Sequence, residues 1–410
     1  MSIDYDPFSL ECRIDPYADY ARLRKEAPGY WAEASRMFVV ARYGDVASIL
    51  TDPDRFSSDA MATVLAIGAG REPEPGTPQM PGNVVTCDPP DHTRLRGIVN
   101  RAFTPRRVES WRPIIEAETR AAVEGMRSAG SFDVIADLAS PIPPTIIAHV
   151  LGIGPEHRDD FKRRATIQAA AMTGSLRFVD PVESGAAQAG LEQGQHLAGV
   201  VAERQAAPQD DIVSELTRAQ GGEILTPKET LGFAGVLTFA GSETTTNLIG
   251  NAVRVLIERP DVCERVVEDP SRIEALLEET LRWDTPVQYI FRRAKEDVEI
   301  AGTKIPKDGI VTLLIGSANR DPEHWGEDAE EFDLDRNTAG HLGFGLGIHF
   351  CIGAALARME ARIALEELLP LLQKSEFEGH SFEMIDSVQF RGVSSLRFRR
   401  SQRAGRKERR

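Results

Sequence analysis

Phe344-Gly345-Leu346-Gly347-Ile348-His349-Phe350-Cys351-Ile352-Gly353 is the most informative stretch of the chain. Three of its ten residues are glycine. The backbone there takes conformations, or makes close approaches, that a side chain would block. From Ala354 to Leu372 the spacing of apolar residues is that of a helix. Cys351 therefore sits just ahead of a helix N-terminus, where the positive end of the helix dipole stabilises a thiolate. Three readings of Cys351 are open at this point. It is an inert core cysteine, a nucleophile, or a strongly electron-donating ligand to a metal centre such as haem iron. The nucleophile reading would need His349 to face it, and a separation of two residues does not imply that. No acyl-transfer motif accompanies the pair.

Moving outward, Thr226-Pro227-Lys228-Glu229 is a capping box with proline in the first helical position. It predicts a helix from Thr226 to Arg259, about 50 Å long at ~1.5 Å per residue. Leu231 to Leu248 is apolar nearly all round, so this helix should cross the core. Ala240-Gly241-Ser242-Glu243-Thr244-Thr245-Thr246 interrupts it with poor helix formers. An acid beside an alcohol suits proton delivery. The bland alternative is a threonine bonded back to the carbonyl four residues earlier. In Asp88-Pro89-Pro90-Asp91-His92-Thr93-Arg94-Leu95-Arg96, His92 and Arg96 share one helix face and suit a carboxylate. Glu279 and Arg282 stand three apart on the helix expected at Ile273–Trp283 and can pair.

The chain has 410 residues, 41% of them hydrophobic, and a net charge of −15 from 48 basic and 63 acidic residues. That balance argues against a nucleic-acid footprint. The basic C-terminus (Arg403, Arg406, Lys407, Arg409, Arg410) reads as a solvated tail. None of the cysteines (Cys12, Cys87, Cys263, Cys351) forms a CxxC pair, so neither a structural zinc site nor a disulfide framework is expected. No long apolar run marks the N-terminus. A cytoplasmic protein with no membrane anchor is the expectation.

The coarse reading is mainly α with small β-sheets, in one domain over 1–410 with flexible ends at 1–14 and 400–410. Helices are expected over 17–27 and Asp45–Leu50. Strands are expected at Tyr30–Trp31 and Met37–Arg42, at Val298–Ile300, at Ile310–Leu314 and at Ser394–Phe398. Prolines and glycines crowd residues 61–86, which predicts an irregular lid with no regular element. Residues 160–200, with Gly174, Gly185, Gly190 and Gly194, are expected to move to admit substrate.

The decapeptide around Cys351 resembles the haem-binding signature of the cytochrome P-450 family, and the likeness runs from about Asp15 to Phe398. It is closest to the soluble bacterial class. The resemblance implies a long central helix over a buried haem b (iron protoporphyrin IX), with Cys351 as the iron ligand. Phe344, Gly345, Gly353, Ala240 and Gly241 would line the cofactor. His92, Arg96, Arg292 and His349 would hold its propionates, with Arg293 a competitor for the role of Arg292. Glu243 and Thr244 would relay protons. Glu279, Arg282 and Arg336 would form a structural trio that fixes the cysteine loop. The implied activity is insertion of one atom of O2 into a hydrophobic small molecule, with electrons from NAD(P)H through a separate ferredoxin and its reductase. Substrate-pocket candidates are Val64, Leu65, Met172, Leu237, Ala240, Val287, Tyr289 and Ile290. Arg101, Arg106, Arg107, Arg358 and Arg362 would make a basic docking patch for the electron carrier. A peroxide-driven or rearranging haem-thiolate enzyme, a haem sensor without turnover, and a nonhaem thiol enzyme are the competing readings.

Overall fold

The computed structural model describes residues 5–7, 9–68, 83–175, 185–218 and 224–401, with side chains except at 169–175. Helices dominate, as the periodicity implies. The capping box forms as written: the Thr226 hydroxyl accepts from the Glu229 amide and the Glu229 carboxylate accepts from the Thr226 amide. The helix it starts does not run unbroken to Arg259. It ends at Ala240, and a second helix spans Glu243–Glu258. Gly241 and Ser242 form the break, where the poor helix formers lie. Leu248, Ile249, Ala252, Val253, Val255 and Leu256 are all buried, so the second half passes through the middle of the largest core cluster. The helices Ile142–Val150, Ile273–Trp283 and Ala354–Leu372 contribute to the same cluster. Each Leu or Ile fully buried there contributes roughly 2 kcal/mol.

Gly29–Ala32 and Met37–Val40 pair antiparallel, with Tyr30 opposite Val39. They belong to a five-stranded sheet that continues through Ile310–Leu314, Tyr289–Ala294 and Phe56–Ser57. Ile310–Leu314 is buried at every position, and Val298–Ile300 pairs separately with Thr303–Ile305. The last strand is Arg397–Arg400, three residues later than the alternation at 394–398 suggested. The lid expectation needs a larger correction. Met61–Gly68 is an α-helix with Val64 buried. Its own residues are apolar and free of proline, and the prolines that broke the pattern begin only at Pro73. Residues 69–82 of the expected lid lie outside the described residues and 83–86 form a turn; 176–184 within the segment expected to move also lie outside them. Residues 10–14 form a short helix, and 402–410 are not described.

The Glu279–Arg282 pair sits at the centre of the fold. Arg282 is wholly buried, and each of its five N–H groups has a partner. Two bonds go to the Glu279 carboxylate at 2.6 and 2.7 Å, and three to the carbonyls of Asn319, Ala329 and Glu331 at 2.8–2.9 Å. Glu279 also accepts from the Asp333 amide at 2.9 Å and from Arg336 at 3.4 Å. Arg336 binds the carbonyls of Trp325 and Asp328. The side chain of Asn319 then accepts from the Leu342 amide at 2.7 Å. A fixed charge in the helix thus holds the irregular segment 319–336 and, through Asn319, the start of the cysteine loop. Removing one partner leaves the other buried and uncompensated. Glu279→Ala is therefore expected to lower unfolding free energy on the order of 3–5 kcal/mol, measured by denaturant titration. A loss under ~1 kcal/mol would mean that the carbonyl contacts hold the segment unaided.

Candidate active site

The cysteine loop is built by its glycines. Gly345 and Gly347 both have φ of +73°. A Cβ on Gly347 would lie 2.7 Å from the Leu50 carbonyl oxygen, so glycine lets the loop rest on the end of the Tyr43–Leu50 helix. The Cys351 amide donates to the Phe344 carbonyl at 2.9 Å and closes the loop. Gly353 caps the Ala354–Leu372 helix. Burial pushes the Cys351 thiol up. The amides of Gly353 and Ala354 and the charges of Arg96 and Arg358 act in the opposite direction, favouring thiolate. Arg358 lies 4.4 Å over the Phe344 ring and makes a two-pronged ion pair with Glu278 at 2.6 and 2.8 Å. His341 is the second partner of Glu278, at 3.1 Å.

Above the loop, three elements bring positive or potentially positive groups together. His92 and Arg96 come from the Asp91–Ala102 helix, Arg292 from the strand Tyr289–Ala294, and His349 from the loop. The His92 and His349 rings are 4.2 Å apart, and His349 shares a hydrogen bond with Ser58 at 2.8 Å. His92 is buried with Nε2 unpartnered. Arg292 is 6% exposed, and its one hydrogen bond among the described residues goes to the carbonyl of Phe291. Neither Arg96 nor Arg292 has an ion pair among the described residues. Burial pulls Arg292 down to about 10, with Asp88 opposing. Burial, then Arg292 and His92, pull His349 down to about 3. Arg292 is then a buried cation without an ion pair among the described residues, which is costly unless an anion completes it, and the unpartnered Nε2 of His92 lies in the same group. A porphyrin whose carboxylates meet this cluster while Cys351 meets the metal fits both features. Arg293 is directed elsewhere, to Asp308 at 2.8 Å and to the Asp59 carbonyl.

At the helix break, Gly241 is tight: a Cβ would lie 2.6 Å from Ile147 Cδ1 and 2.9 Å from the Leu237 carbonyl oxygen. Thr244 donates to the Ala240 carbonyl at 2.8 Å, the back-bonded alternative named above, and its oxygen still has lone pairs to accept with. Glu243 accepts from Asn247 at 3.3 Å, and burial pushes its carboxyl up. Asn247 is one turn on from Glu243, a spacing that could have drawn notice in the sequence. Gly392 makes room for it, since a Cβ there would lie 2.2 Å from Asn247 Oδ1.

The substrate candidates separate. Ala240 is exposed at the break, and Leu237 is buried one turn before it. Ile290 approaches the Gly345 Cβ position to 4.0 Å. Val287 bridges to Phe390, whose ring lies 5.8 Å from Phe239. Phe239 and Phe390 were missed because their proximity depends on a long-range turn. Tyr289 points elsewhere: its hydroxyl meets Tyr5 at 3.0 Å and Cys12 at 3.6 Å. Val64 and Leu65 pack with that same cluster. The side chain of Met172 lies outside the described residues. Of the basic patch, Arg107, Arg358 and Arg362 are paired with Asp210, Glu278 and Glu366. Arg101 and Arg106 are exposed with no ion pair among the described residues.

Known proteins resemble this chain over most of its length. The family model for cytochrome P450 matches residues 17–395. Cytochrome P450 107B1 of Saccharopolyspora erythraea is 38% identical over 87% of this chain and 87% of its own. The structure of cytochrome P450 CYP109Q5 from Chondromyces apiculatus superposes with a TM-score of 0.86 at 36% identity, covering 97% of this chain and 98% of its own. That of CYP109E1 from Bacillus megaterium, in complex with testosterone, gives 0.83 at 33% identity, covering 94% and 99%.

Glu278 offers a test of how the loop is anchored. Contacts with Arg358 and His341 hold its carboxyl at about 2, below the usual carboxylate value of 4.5. A folded-state value below the unfolded one stabilises the protein fully above the unfolded value, and the gain fades as pH falls. Wild type should exceed Glu278→Gln in unfolding free energy at neutral pH. The gap should close as pH falls from 4.5 toward about 2. A gap independent of pH in denaturation curves would rule out the ionic anchor.

Proposed function

The chain belongs to the cytochrome P450 family, and we propose that it is a haem-thiolate monooxygenase acting on a hydrophobic small molecule. The family is haem-dependent oxidoreductases. The observation that carries the assignment of residues is buried Arg292, without an ion pair among the described residues, together with the unpartnered Nε2 of buried His92, beside the loop that bears His349 and Cys351. Cys351 would supply the thiolate to iron. His92, Arg96, Arg292 and His349 would receive the porphyrin carboxylates, and Phe344, Gly345 and Gly353 would shape the face below the ring. Ala240 and Gly241 would border it from the other side. When bound, the haem supplies dioxygen activation and one-electron chemistry.

The chain's own residues have the remaining tasks. Reducing dioxygen to water and a hydroxylated product consumes two electrons and two protons. Glu243, with its carboxyl raised by burial, holds a proton near neutral pH more readily than an exposed glutamate. Thr244 can take that proton's hydrogen bond on its oxygen and orient it at the break. Leu237, Ala240, Val287, Ile290, Phe239 and Phe390 would offer an apolar surface, and the testosterone complex of a structural relative supports steroids as the first class to test. Electrons would come from NAD(P)H through a ferredoxin and its reductase, with Arg101 and Arg106 available to an acidic carrier. Among the described residues no helix is long and apolar enough to cross a membrane, in keeping with a cytoplasmic site of action.

The first measurement is the absorption spectrum of the dithionite-reduced protein under carbon monoxide. A strongly red-shifted Soret band is expected for cysteinate ligation, and Cys351→His should abolish it. A colourless protein would remove the assignment. Thr244→Ala should bind haem normally yet release peroxide, with product per NADH falling by about tenfold. Full coupling in that variant would take Thr244 out of the proton path.

A further inference from the structure

Glu278 and Glu279 are adjacent on the Ile273–Trp283 helix, about 100° apart around its axis, and serve different partners. Glu279 holds Arg282, whereas Glu278 reaches the Ala354–Leu372 helix and accepts from Nε and Nη2 of Arg358 at 2.6 and 2.8 Å. His341 supports the same carboxylate. The Gly343 amide donates to its Nδ1 at 3.1 Å, so its Nε2 carries the proton that Glu278 receives. Against the cost of burial, the bonds from Arg358 and His341 hold the Glu278 carboxyl at about 2, and the bond to Glu278 raises Arg358. Both members of the pair are therefore charged throughout the neutral range.

The pair brings charge to the cysteine loop. The Arg358 guanidinium carbon lies 4.4 Å over the Phe344 ring, and the Phe344 carbonyl accepts the Cys351 amide that closes the loop. The His341 ring packs on the same Phe344, with centroids 6.0 Å apart. Arg358 stands on the second turn of the helix that Gly353 caps. Helical side chains lean toward the N-terminus, here toward Cys351. Against burial, Arg96 and Arg358 favour the Cys351 thiolate. Arg96 is assigned above to a porphyrin carboxylate, so its charge is met by the cofactor. Arg358 has its carboxylate within the protein. With Nε and Nη2 committed and one face on Phe344, Arg358 is engaged with the loop.

We propose that the Glu278–Arg358 pair sets how strongly Cys351 donates to the iron, and with it the potential at which the holoenzyme accepts an electron. The inference rests on Cys351 being the thiolate ligand. A cation near the sulfur draws its electron density back and favours the added electron, whereas a carboxylate beside that cation offsets it. The two-pronged bond fixes the distance between the two charges, so the fold itself sets the net field at the sulfur. Neither residue touches the reacting atoms. Both are positioning residues that act through Cys351.

The test is the one-electron reduction potential of the holoenzyme, with the reduced carbon monoxide spectrum as the check on cysteinate ligation. Glu278→Gln keeps a hydrogen-bond partner for Arg358 but leaves its charge uncompensated. The ratio of reduced to oxidised protein at fixed potential should rise about tenfold, which is about 59 mV for one electron. Arg358→Gln leaves Glu278 uncompensated and should lower the ratio by a similar factor. Removing both charges in the double variant should return the potential close to wild type. Arg358→Lys keeps the charge and should stay within about twofold of wild type. A merely structural role would move both single variants in the same direction and leave Arg358→Lys unlike wild type. That pattern, or shifts under about twofold in both single variants, would overturn the proposal while the red-shifted band stood. Should Arg358→Gln fail to hold haem, the sign of the Glu278→Gln shift and the Arg358→Lys value decide the question. Absence of the band in wild type would instead remove the haem-thiolate assignment beneath the proposal.

Discussion

Arg282 carries a permanent charge in a place where water cannot share it, and the cysteine loop depends on how that charge is satisfied. Glu279 neutralises it, but the carbonyls of Asn319, Ala329 and Glu331 complete its five donors. Those carbonyls lie in a stretch with little regular structure, so their positions are set by the guanidinium fork rather than by a ladder of their own. Asn319 passes the constraint on by binding the Leu342 amide, three residues before the first positive-φ glycine of the loop. The clamp thus fixes the approach to the loop that bears Cys351, which the His349–Ser58 and Arg96–Phe350 hydrogen bonds hold further along.

A second set of buried basic groups is treated in the opposite way. Arg292 and His92 are buried too, yet the described residues offer them no ion pair. The contrast separates the two tasks. A saturated ion pair maintains shape, whereas an unpaired buried arginine holds free energy that an anionic ligand would release on binding. A thiolate at Cys351, which burial disfavours, would need a cation of its own, which a metal supplies. One prosthetic group with an iron centre and two carboxylates meets both demands together.

The break in the central helix links stability to chemistry. Leu248 to Leu256 are packed too thoroughly for that half to move, so the interruption at Gly241 and Ser242 is confined to the segment just before it. There Gly241 lies against Ile147, Ser242 and Thr244 spend their hydroxyl protons on carbonyls of the previous turn, and Glu243 lines an open cleft behind the break. Kinks of this kind have local causes in side-chain and glycine chemistry, and here the cause and the acid are neighbours in sequence.

Sequence alone determined what short spacing can encode. The glycine loop before Cys351, the capping box at Thr226, the His92–Arg96 and Glu279–Arg282 spacings and the Gly241–Thr246 interruption all involve residues within one or two turns of each other, and helical geometry turns such spacings into faces. The family resemblance added Arg336, whose Nε lies 3.4 Å from the Glu279 carboxylate. Pairings across the chain were decided only by the tertiary structure. Tyr289 lies on a strand that the sequence reading does not single out, and whether its hydroxyl meets a ligand or Tyr5 depends on where the N-terminal segment docks. Arg358 and Arg362 read as free surface charge until Glu278 and Glu366 are seen to hold them. Local order is set by near-neighbour sterics and hydrogen bonds, which sequence displays directly. The partners of a buried polar group are set by packing between segments far apart in the chain.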